Sequence, residues 1–246
     1  MRVLITGATG LSGLNVYRAA IEDPAVTAIT LLLRREIPSW AVLPQNASEK
    51  TTTILHQDFG KYEPELASQL AQHDACLWVL GKSSRGMAEA EYTTLTHDYP
   101  MAMLNALRDS GVGMNRPVDK PFRFLYWSGQ YADPTEKSIQ MWARVKGRTE
   151  THILDFCKSI PGVEAYILRP GYICPSKKYP QDVANQRTCF KRSMDRVMIP
   201  GLGLLAPSSM ISVEQLAKAA LEIAKGRFSG TKLFENTALL DAAKVE

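Results

Sequence analysis

Arg2-Val3-Leu4-Ile5-Thr6-Gly7-Ala8-Thr9-Gly10-Leu11-Ser12-Gly13 opens the chain and decides its fold. The apolar run at its start predicts a short buried strand, and the segment from Leu14 to Ala20 predicts an amphipathic helix. Between them lie three glycines spaced three residues apart. A strand, a tight glycine turn and a helix in this order are typical of the first unit of a dinucleotide-binding domain, although an ordinary strand-to-helix turn is the alternative interpretation.

Each glycine has a physical role in such a turn. Gly7 allows a sharp bend off the strand, Gly10 allows the backbone to approach a pyrophosphate, and Gly13 allows the helix to pack closely on the sheet. The unpaired amides and positive dipole end of the new helix favour a phosphate group at its N-terminus. The predicted pyrophosphate-binding residues are Gly7, Thr9, Gly10, Leu11, Ser12 and Gly13.

Length and charge limit the function classes. With 246 residues, of which 45% are hydrophobic, the chain can bury a large core, and we expect a single domain over residues 1–246. The net charge of +4 comes from basic residues spread along the chain, which argues against a nucleic-acid partner. The densest basic stretch, Lys177 to Arg196, is interrupted by Asp182 and Asp195 and fits a solvated loop or the neighbourhood of a substrate phosphate. We therefore expect a small-molecule substrate.

The sequence also carries expectations about the compartment. Its four cysteines and four histidines show neither a CxxC pair nor metal-ligand spacing, which predicts reduced thiols and no metal site. No apolar run approaches the ~20 residues of a membrane span, and the sequence starts at its first predicted strand. We expect a cytoplasmic protein without a membrane partner.

Apolar runs alternate with helical patterns through most of the chain. This alternation predicts a Rossmann-like α/β fold, in which a doubly wound parallel sheet carries helices on both faces and a small C-terminal substrate lobe. The predicted strands are Val3–Thr6, Ala28–Arg34, Thr52–Gln57, Ala75–Leu80, Phe122–Ser128, Ala165–Arg169 and Lys232–Glu235. The predicted helices are Ser12–Ile21, Pro64–Leu70, Glu89–Ser110, Glu136–Lys158 and Val213–Lys225.

Three further local features complete this prediction. Ser212 as N-cap, with Gln215 three residues later, predicts a capping box at the start of the last helix. The segment 171–211 is rich in proline, glycine and mixed charge, which predicts an irregular substrate-side segment. Pro38 to Lys50 is predicted to be a surface excursion.

The ends of the predicted strands supply candidate cofactor contacts. The second strand ends at Arg34-Arg35, where an acidic residue would bind a free ribose 2′-hydroxyl and an arginine a 2′-phosphate. The guanidinium fork matches phosphate oxygens, so this pair favours NADP over NAD, unless the two arginines merely open an exposed loop. Asp58-Phe59 ends the third strand, where a carboxylate can accept the adenine amino hydrogens or simply close a turn. Leu80-Gly81 ends the fourth strand, where a glycine lets the backbone pass close to the cofactor ribose.

A second chemical cluster combines Ser128, at the end of the fifth predicted strand, with Trp142-Ala143-Arg144-Val145-Lys146. With the GATGLSG turn, Asp58, the VKGRTE helix and Arg169-Pro170-Gly171, the chain resembles the atypical short-chain dehydrogenases/reductases over essentially its whole length. It resembles most closely their Tat-interactive-protein-like NAD(P)-binding oxidoreductases. The resemblance implies that backbone at Pro170, Gly171 and Ile173 lies near the nicotinamide carboxamide, although Pro-Gly also turns a chain after a strand. It also allows a homodimer paired through the helices that flank the sheet.

In that superfamily a Ser, a Tyr and a Lys act together, with Tyr and Lys four residues apart on one helix face. The resemblance implies that Ser128 orients a carbonyl, and that Lys146 binds the nicotinamide ribose and lowers the Tyr pKa from ~10. The Tyr position holds Trp142, whose indole N–H cannot release a proton at accessible pH. Ordinary carbonyl reduction then needs another donor. The nearest candidates in sequence, each of which is also explained as a packing or loop residue, are Tyr131, Tyr172 and His152.

Three functions stay open at this point. The first is an oxidoreductase that uses NADP, or else NAD, on a small carbonyl or alcohol with a rearranged proton donor. The second is an NADP(H)-binding regulatory or scaffold protein whose catalysis is impaired by Trp142. The third is a non-redox isomerase or lyase that uses the nucleotide structurally. Ser128 and Lys146 are retained as predicted catalytic residues, and their presence favours the oxidoreductase.

Overall fold

A computed structural model of the protein describes residues 1–114, 116–228 and 230–245. The strands are β1 Arg2–Thr6, β2 Ala28–Leu33, β3 Thr51–Leu55, β4 Ala75–Trp78, β5 Phe122–Trp127, β6 Val163–Arg169, β7 Tyr172–Cys174, β8 Met210–Ser212 and β9 Leu233–Glu235. The α-helices are α1 Leu11–Glu22, α2 Ala47–Lys50, α3 Pro64–Leu70, α4 Glu89–Thr93, α5 Tyr99–Asp109, α6 Met141–Lys158, α7 Pro180–Gln186, α8 Cys189–Leu205, α9 Val213–Ala224 and α10 Asn236–Ala242. A π-helical segment, Thr94–Asp98, joins α4 to α5, and a 3-10 turn lies at Pro207–Ser209.

Seven of the described strands form one parallel sheet in the order β3-β2-β1-β4-β5-β6-β9, and β7 pairs with β8 in a separate parallel ribbon. The direction in which the chain adds strands reverses between β1 and β4. Such a reversal opens a crevice at the carboxyl ends of the strands, and ligands of doubly wound folds bind there. The predicted fold class is confirmed.

Helices cover both faces of the sheet, and successive residues of β1 belong to different cores. Val3 and Ile5 pack in the cluster that contains residues of α1 and α9, whereas Leu4 packs in the cluster that contains residues of α5 and α6. All three side chains are fully buried. A continuous apolar run is what a parallel strand buried on both faces requires, and it explains why β1 lacks polar alternation.

The predicted strands of the main sheet agree with the observed ones to within two residues at each end. The capping box of α9 is confirmed, because the Ser212 hydroxyl accepts from the Gln215 amide and the Gln215 side chain accepts from the Ser212 amide. None of the described helices combines the length and the apolar character that a bilayer crossing requires.

The helix predicted over Glu136–Lys158 begins five residues later, at Met141. The Asp133 carboxylate accepts backbone hydrogens from Thr135 at 2.9 Å and from Ser138 at 2.7 Å. Glu136 has a φ of +56°, which a right-handed helix does not allow. The aspartate therefore holds a loop where the sequence pattern predicted helix.

The helix predicted over Glu89–Ser110 is interrupted by the π-helical segment Thr94–Asp98. Pro100 has no amide hydrogen to donate to the carbonyl of Thr96, four residues earlier. The buried Tyr126 hydroxyl donates to that carbonyl instead, at 3.0 Å. Pro100 thus leaves the Thr96 carbonyl free to accept the Tyr126 hydroxyl, and this bond links the π-helical segment to β5.

The prediction of an irregular segment over residues 171–211 is wrong, since β7, α7, α8 and β8 lie there. Helix α8 runs through Pro200, Gly201 and Gly203, which are the residues that suggested a loop. The Thr188 side chain caps α8 by accepting from the Lys191 amide. Helices α2 and α10 were also not predicted.

Candidate functional site

The glycine turn after β1 is held in place by contacts that leave no room for a side chain at two positions. Gly7 has a φ of +70°, and a Cβ there would lie 2.7 Å from the Leu80 amide nitrogen. A Cβ at Gly13 would lie 2.1 Å from the Gly7 carbonyl oxygen. Both glycines therefore serve close packing of the protein's own backbone, as the sequence predicted for a turn of this kind.

Gly10 differs, because space rather than protein lies next to it. A Cβ there would meet only the Gly7 carbonyl oxygen, at 3.4 Å, and the φ of Gly10 is −94°, which any residue adopts. Gly10 is the N-cap of α1, and no side chain of the described residues caps this helix. Free amides at the start of a twelve-residue helix beside open space fit a pyrophosphate group.

One cleft of about 610 Å³ connects this turn to the other predicted site residues. It lies at the carboxyl ends of the central strands, where the topology predicts a ligand. Its lining includes the predicted Gly7, Thr9, Gly10, Leu11, Ser12, Gly13, Arg34, Arg35, Leu80, Gly81, Ser128, Lys146, Gly171 and Ile173. It also includes Lys82, which the sequence did not single out, and Arg187 and Lys191 of the basic stretch that the sequence left open between a solvated loop and the neighbourhood of a substrate phosphate.

The charge of the cleft has one sign. Six of its lining residues are Lys or Arg, and none of the described lining residues is Asp or Glu. Low-dielectric walls lined by one sign of charge concentrate oppositely charged ligands. The cleft is therefore built for a ligand with several negative charges.

A side pocket of about 370 Å³ continues from the turn toward the end of β2, where Arg34, Arg35, Gln57 and the predicted Phe59 line it. The Gln57 side chain donates to the Arg34 carbonyl oxygen at 2.7 Å, which links the ends of β2 and β3. Asp58 is not among the lining residues. Its carboxylate accepts from the Gly60 amide at 2.9 Å, so it has the turn role that the sequence left open.

Lys146 extends from α6 to the end of β5. Its ammonium group donates to the carbonyl oxygens of Trp127 at 2.8 Å and of Ser128 at 3.1 Å. Desolvation in this position lowers the pKa of Lys146 to about 8, and the Glu150 carboxylate partly opposes that shift. An ammonium group has three hydrogens, so one is left for a ligand in the cleft.

Ser128 belongs to a buried polar network that the sequence did not predict. Its hydroxyl donates to the Glu150 carboxylate. Arg169 Nε donates to the same carboxylate at 2.9 Å, and its Nη1 donates to Glu235 at 2.9 Å. Glu150 lies four residues after Lys146, on the same face of α6, and this spacing was the signal that could have revealed it.

The Trp142 side chain is partly buried, does not line the cleft, and donates its indole hydrogen to the Gln140 side chain. Among the alternative proton donors, Tyr131 is 75% exposed with a φ of +70°, and His152 pairs with His97 at 2.8 Å away from the cleft lining. Tyr172 is different. It lines the cleft, and its hydroxyl donates to Asp195 at 2.5 Å.

The end of β6 lies at the cleft. Gly171 and Ile173 line the cleft, and the Gly171 amide donates to the Asn236 side chain at 2.7 Å. Pro170 is buried behind them, and its carbonyl accepts from the Gln130 amide at 2.9 Å. Pro170 therefore shapes this end of the cleft without lining it.

Comparisons with known proteins agree with this geometry. The fold matches UDP-N-acetylglucosamine 4-epimerase from Methanobrevibacter ruminantium, with a TM-score of 0.67 and 15% identity over 95% of this chain and 75% of that one. It also matches 3-oxoacyl-[acyl-carrier protein] reductase from Brucella melitensis, solved with NAD, with a TM-score of 0.66 and 14% identity over 99% and 98% of the two chains. The fold is thus that of the short-chain dehydrogenases/reductases.

In sequence, the chain is 30% identical to "Protein fmp52, mitochondrial" of Emericella nidulans over 178 residues, which cover 72% of this chain and 68% of that protein. The matching segment spans 59% of the relative of the same name from Candida albicans. No protein-family model matches the chain. The chain belongs to the FMP52 family of atypical short-chain dehydrogenases/reductases, which confirms the predicted resemblance.

The expectation of a cytoplasmic protein is contradicted. The FMP52 relatives from Emericella nidulans, Candida albicans and two Aspergillus species are all named as mitochondrial proteins. The expectation rested on the absence of targeting and membrane signals, and such an absence is weak evidence about a compartment.

Proposed function

We propose that the protein is an NADP(H)-dependent oxidoreductase that interconverts a small carbonyl compound and its alcohol. One observation carries the proposal: a single cleft without acidic lining runs from Arg34 and Arg35, past the glycine turn, to Ser128 and Lys146. A dinucleotide needs contacts at both ends and at its pyrophosphate, and this cleft offers all three.

The residues that would hold the cofactor follow from the cleft. Arg34 and Arg35 match a ribose 2′-phosphate, the open space at Gly10 accepts the pyrophosphate, and the remaining hydrogen of Lys146 bonds the nicotinamide ribose. When bound, NADPH supplies the hydride that reduces a carbonyl carbon. The 2′-phosphate contact makes NADP the preferred cofactor over NAD.

Reduction also needs a proton for the carbonyl oxygen, and we assign it to Tyr172, whose single hydroxyl hydrogen would turn from Asp195 to the substrate oxygen when a carbonyl compound binds. Burial, and then the hydrogen bond to Asp195, raise the pKa of Tyr172 to about 12, so the phenol is protonated at neutral pH. An alkoxide is a stronger base than a phenolate, so transfer of the phenolic proton to it is downhill. As the carbonyl carbon is reduced, Tyr172 would give its phenolic proton to the carbonyl oxygen, and water would then return a proton to the phenolate.

A second candidate function is supported by the arrangement around Ser128. The Ser128 hydroxyl donates its one hydrogen to Glu150, and Trp142 stands outside the cleft. These residues then do not act on a carbonyl as their counterparts in the superfamily do. A regulatory protein that binds NADP(H) without turnover would tolerate both features.

One experiment separates the two. Purified protein is titrated with NADPH and NADH by nicotinamide fluorescence, and NADPH absorbance is then followed with a panel of aldehydes and ketones. The oxidoreductase predicts tighter binding of NADPH than of NADH, and carbonyl-dependent loss of absorbance. Binding of NADPH without oxidation by any carbonyl of the panel would favour the regulatory function, and absence of binding would contradict both.

A further inference from the structure

We propose that Arg187 and Lys191 form an anion site for the substrate, which is then a carbonyl or alcohol compound that carries a carboxylate or phosphate group. The inference rests on the proposed function, whose substrate class it narrows. Both residues line the cleft together with Tyr172 and Ile173.

The phosphates of the proposed cofactor already have partners elsewhere in the cleft. Arg34 and Arg35 lie at the adenosine end, and the pyrophosphate faces the free amides of α1. The charges of Arg187 and Lys191 are then additional to these cofactor contacts. Buried or half-buried like charges are costly, and proteins keep them where a ligand neutralises them.

Arg187 is oriented rigidly, and part of its hydrogen-bonding capacity is unused. Its Nη2 donates to the Ile173 carbonyl oxygen at 2.8 Å, and its Nε lies 3.5 Å from the Asp195 carboxylate. The Nε hydrogen is buried without a hydrogen-bond partner in the described structure. Because Asp195 also accepts the Tyr172 hydroxyl, one carboxylate serves both groups.

Lys191, in the first turn of α8, has no ion pair within 4 Å among the described residues. Partial desolvation, and then the charge of Arg187, lower the pKa of Lys191. The pair faces the cleft beside Tyr172, so an acidic group bound there would bring the rest of the substrate to the proposed proton donor.

The loop after β4 contacts the start of α8. The Arg85 guanidinium, in the loop after β4, lies 4.4 Å from the ring centroid of Phe190, next to Lys191 in the chain. The same loop contributes Lys82 and Ser83 to the lining. A substrate anion here would therefore be held between α8 and the loop after β4.

The test measures binding rather than turnover. Protein saturated with NADP⁺, which cannot reduce an aldehyde, is titrated calorimetrically with 4-formylbenzoate and with benzaldehyde, which differ only in the carboxylate, and with inorganic phosphate. We expect 4-formylbenzoate to bind at least about tenfold more tightly than benzaldehyde, and phosphate to compete with it. Lys191→Met removes this preference, and the NADPH dissociation constant stays within about twofold.

Arg196→Met is the matched control, because Arg196 lies on the same helix, is exposed and does not line the cleft. Arg187→Met is the second variant, and it should also lose the preference. Equal binding of the two aldehydes by the natural protein would overturn the inference. A loss of NADPH affinity in Lys191→Met as large as its loss of 4-formylbenzoate affinity would also overturn the inference, since the lysine would then serve the cofactor pyrophosphate.

Failure of the proposed function gives a different result. A protein that binds 4-formylbenzoate through Lys191 but never oxidises NADPH contradicts the oxidoreductase and keeps the anion site. If NADPH itself does not bind, the same compounds are titrated calorimetrically into the cofactor-free protein. A preference for 4-formylbenzoate over benzaldehyde that Lys191→Met removes would then keep the anion site, and equal binding would overturn it.

Discussion

The Ser128 hydroxyl donates to the buried Glu150 carboxylate, which Arg169 in turn holds. A serine hydroxyl has one hydrogen, so Ser128 meets a ligand only as a hydrogen-bond acceptor while this bond persists. Ser128 thus faces the cleft as part of a fixed network that joins the ends of β5 and β6 to α6.

Glu150→Gln tests how much that network stabilises the fold. Glu150 is 2% exposed, and the substitution leaves Arg169 partly unpaired. We expect the free energy of unfolding to fall by roughly 3 kcal/mol, whereas Ser128→Ala lowers it by about 1 kcal/mol. Urea unfolding measures both. Asp241→Asn, which breaks the exposed ion pair with Lys244, is the control and should change the free energy of unfolding by less than about 0.5 kcal/mol. If Glu150→Gln destabilises the protein no more than this control does, the network does not stabilise the fold.

Gly10 and Gly13 should respond differently to the same added methyl group. Gly10→Ala places its Cβ in the open space before α1, so we expect at least about tenfold weaker NADPH binding and a stability loss of about 1 kcal/mol or less. Gly13→Ala drives its Cβ into the Gly7 carbonyl and should destabilise the whole domain. Thermal unfolding and fluorescence titration check the pair. Unchanged NADPH affinity in Gly10→Ala would mean that no pyrophosphate lies there.

Arg34→Asp tests the choice of cofactor. The substitution removes a partner of the 2′-phosphate and adds a repelling charge, so NADPH binding should weaken at least about tenfold more than NADH binding. The two dissociation constants, measured by nicotinamide fluorescence, give the ratio directly. Arg196→Asp, outside the cleft, should leave the ratio unchanged. An equal response to NADPH and NADH would show that Arg34 does not contact the 2′-phosphate.

The sequence predicted the main sheet and most of the cleft because local patterns encode both. The apolar run of β1 and the spacing of Gly7, Gly10 and Gly13 depend on neighbours in the chain. The network of Ser128, Glu150 and Arg169 joins residues from three separate elements, so no short motif contains it.

The substrate side was mispredicted for a physical reason. Pro200, Gly201 and Gly203 lower helix propensity, yet α8, which the Thr188 side chain caps at its start, continues through them. Conversely, the helical pattern at Glu136 gave way to a loop held by the Asp133 side chain. A side-chain bond to the backbone is present in both cases, at the start of α8 and in the loop at Glu136.

The depressed pKa of Lys146 predicts a pH dependence of cofactor binding. With a pKa of about 8 in the folded protein, against an ordinary 10.5, the ammonium group is charged below pH 8 and neutral above it. Above pH 8, binding that uses the charged form must take up a proton, so NADPH affinity should fall by up to about tenfold per pH unit. Lys146→Met should bind more weakly but show a flat profile between pH 7 and about 9.5. The same slope in both proteins would assign the titration to another group.

Tyr172→Phe and Trp142→Tyr test the proton donor. If Tyr172 supplies the proton, Tyr172→Phe should lower kcat about a hundredfold or more with NADPH affinity kept within about twofold. Trp142→Tyr should change kcat little, because residue 142 does not line the cleft. Tyr131→Phe, at an exposed position, is the control. A large gain of turnover in Trp142→Tyr, with no loss in Tyr172→Phe, would assign proton donation to residue 142, where the superfamily has its Tyr.

The most direct measurement is a calorimetric titration of the natural protein with NADPH. The cleft predicts saturable heat, a stoichiometry of one and a micromolar or tighter dissociation constant that weakens as salt is raised, because phosphates meet Arg34 and Arg35. No heat with NADPH, together with no shift of thermal unfolding at saturating concentration, would contradict a dinucleotide site in this cleft.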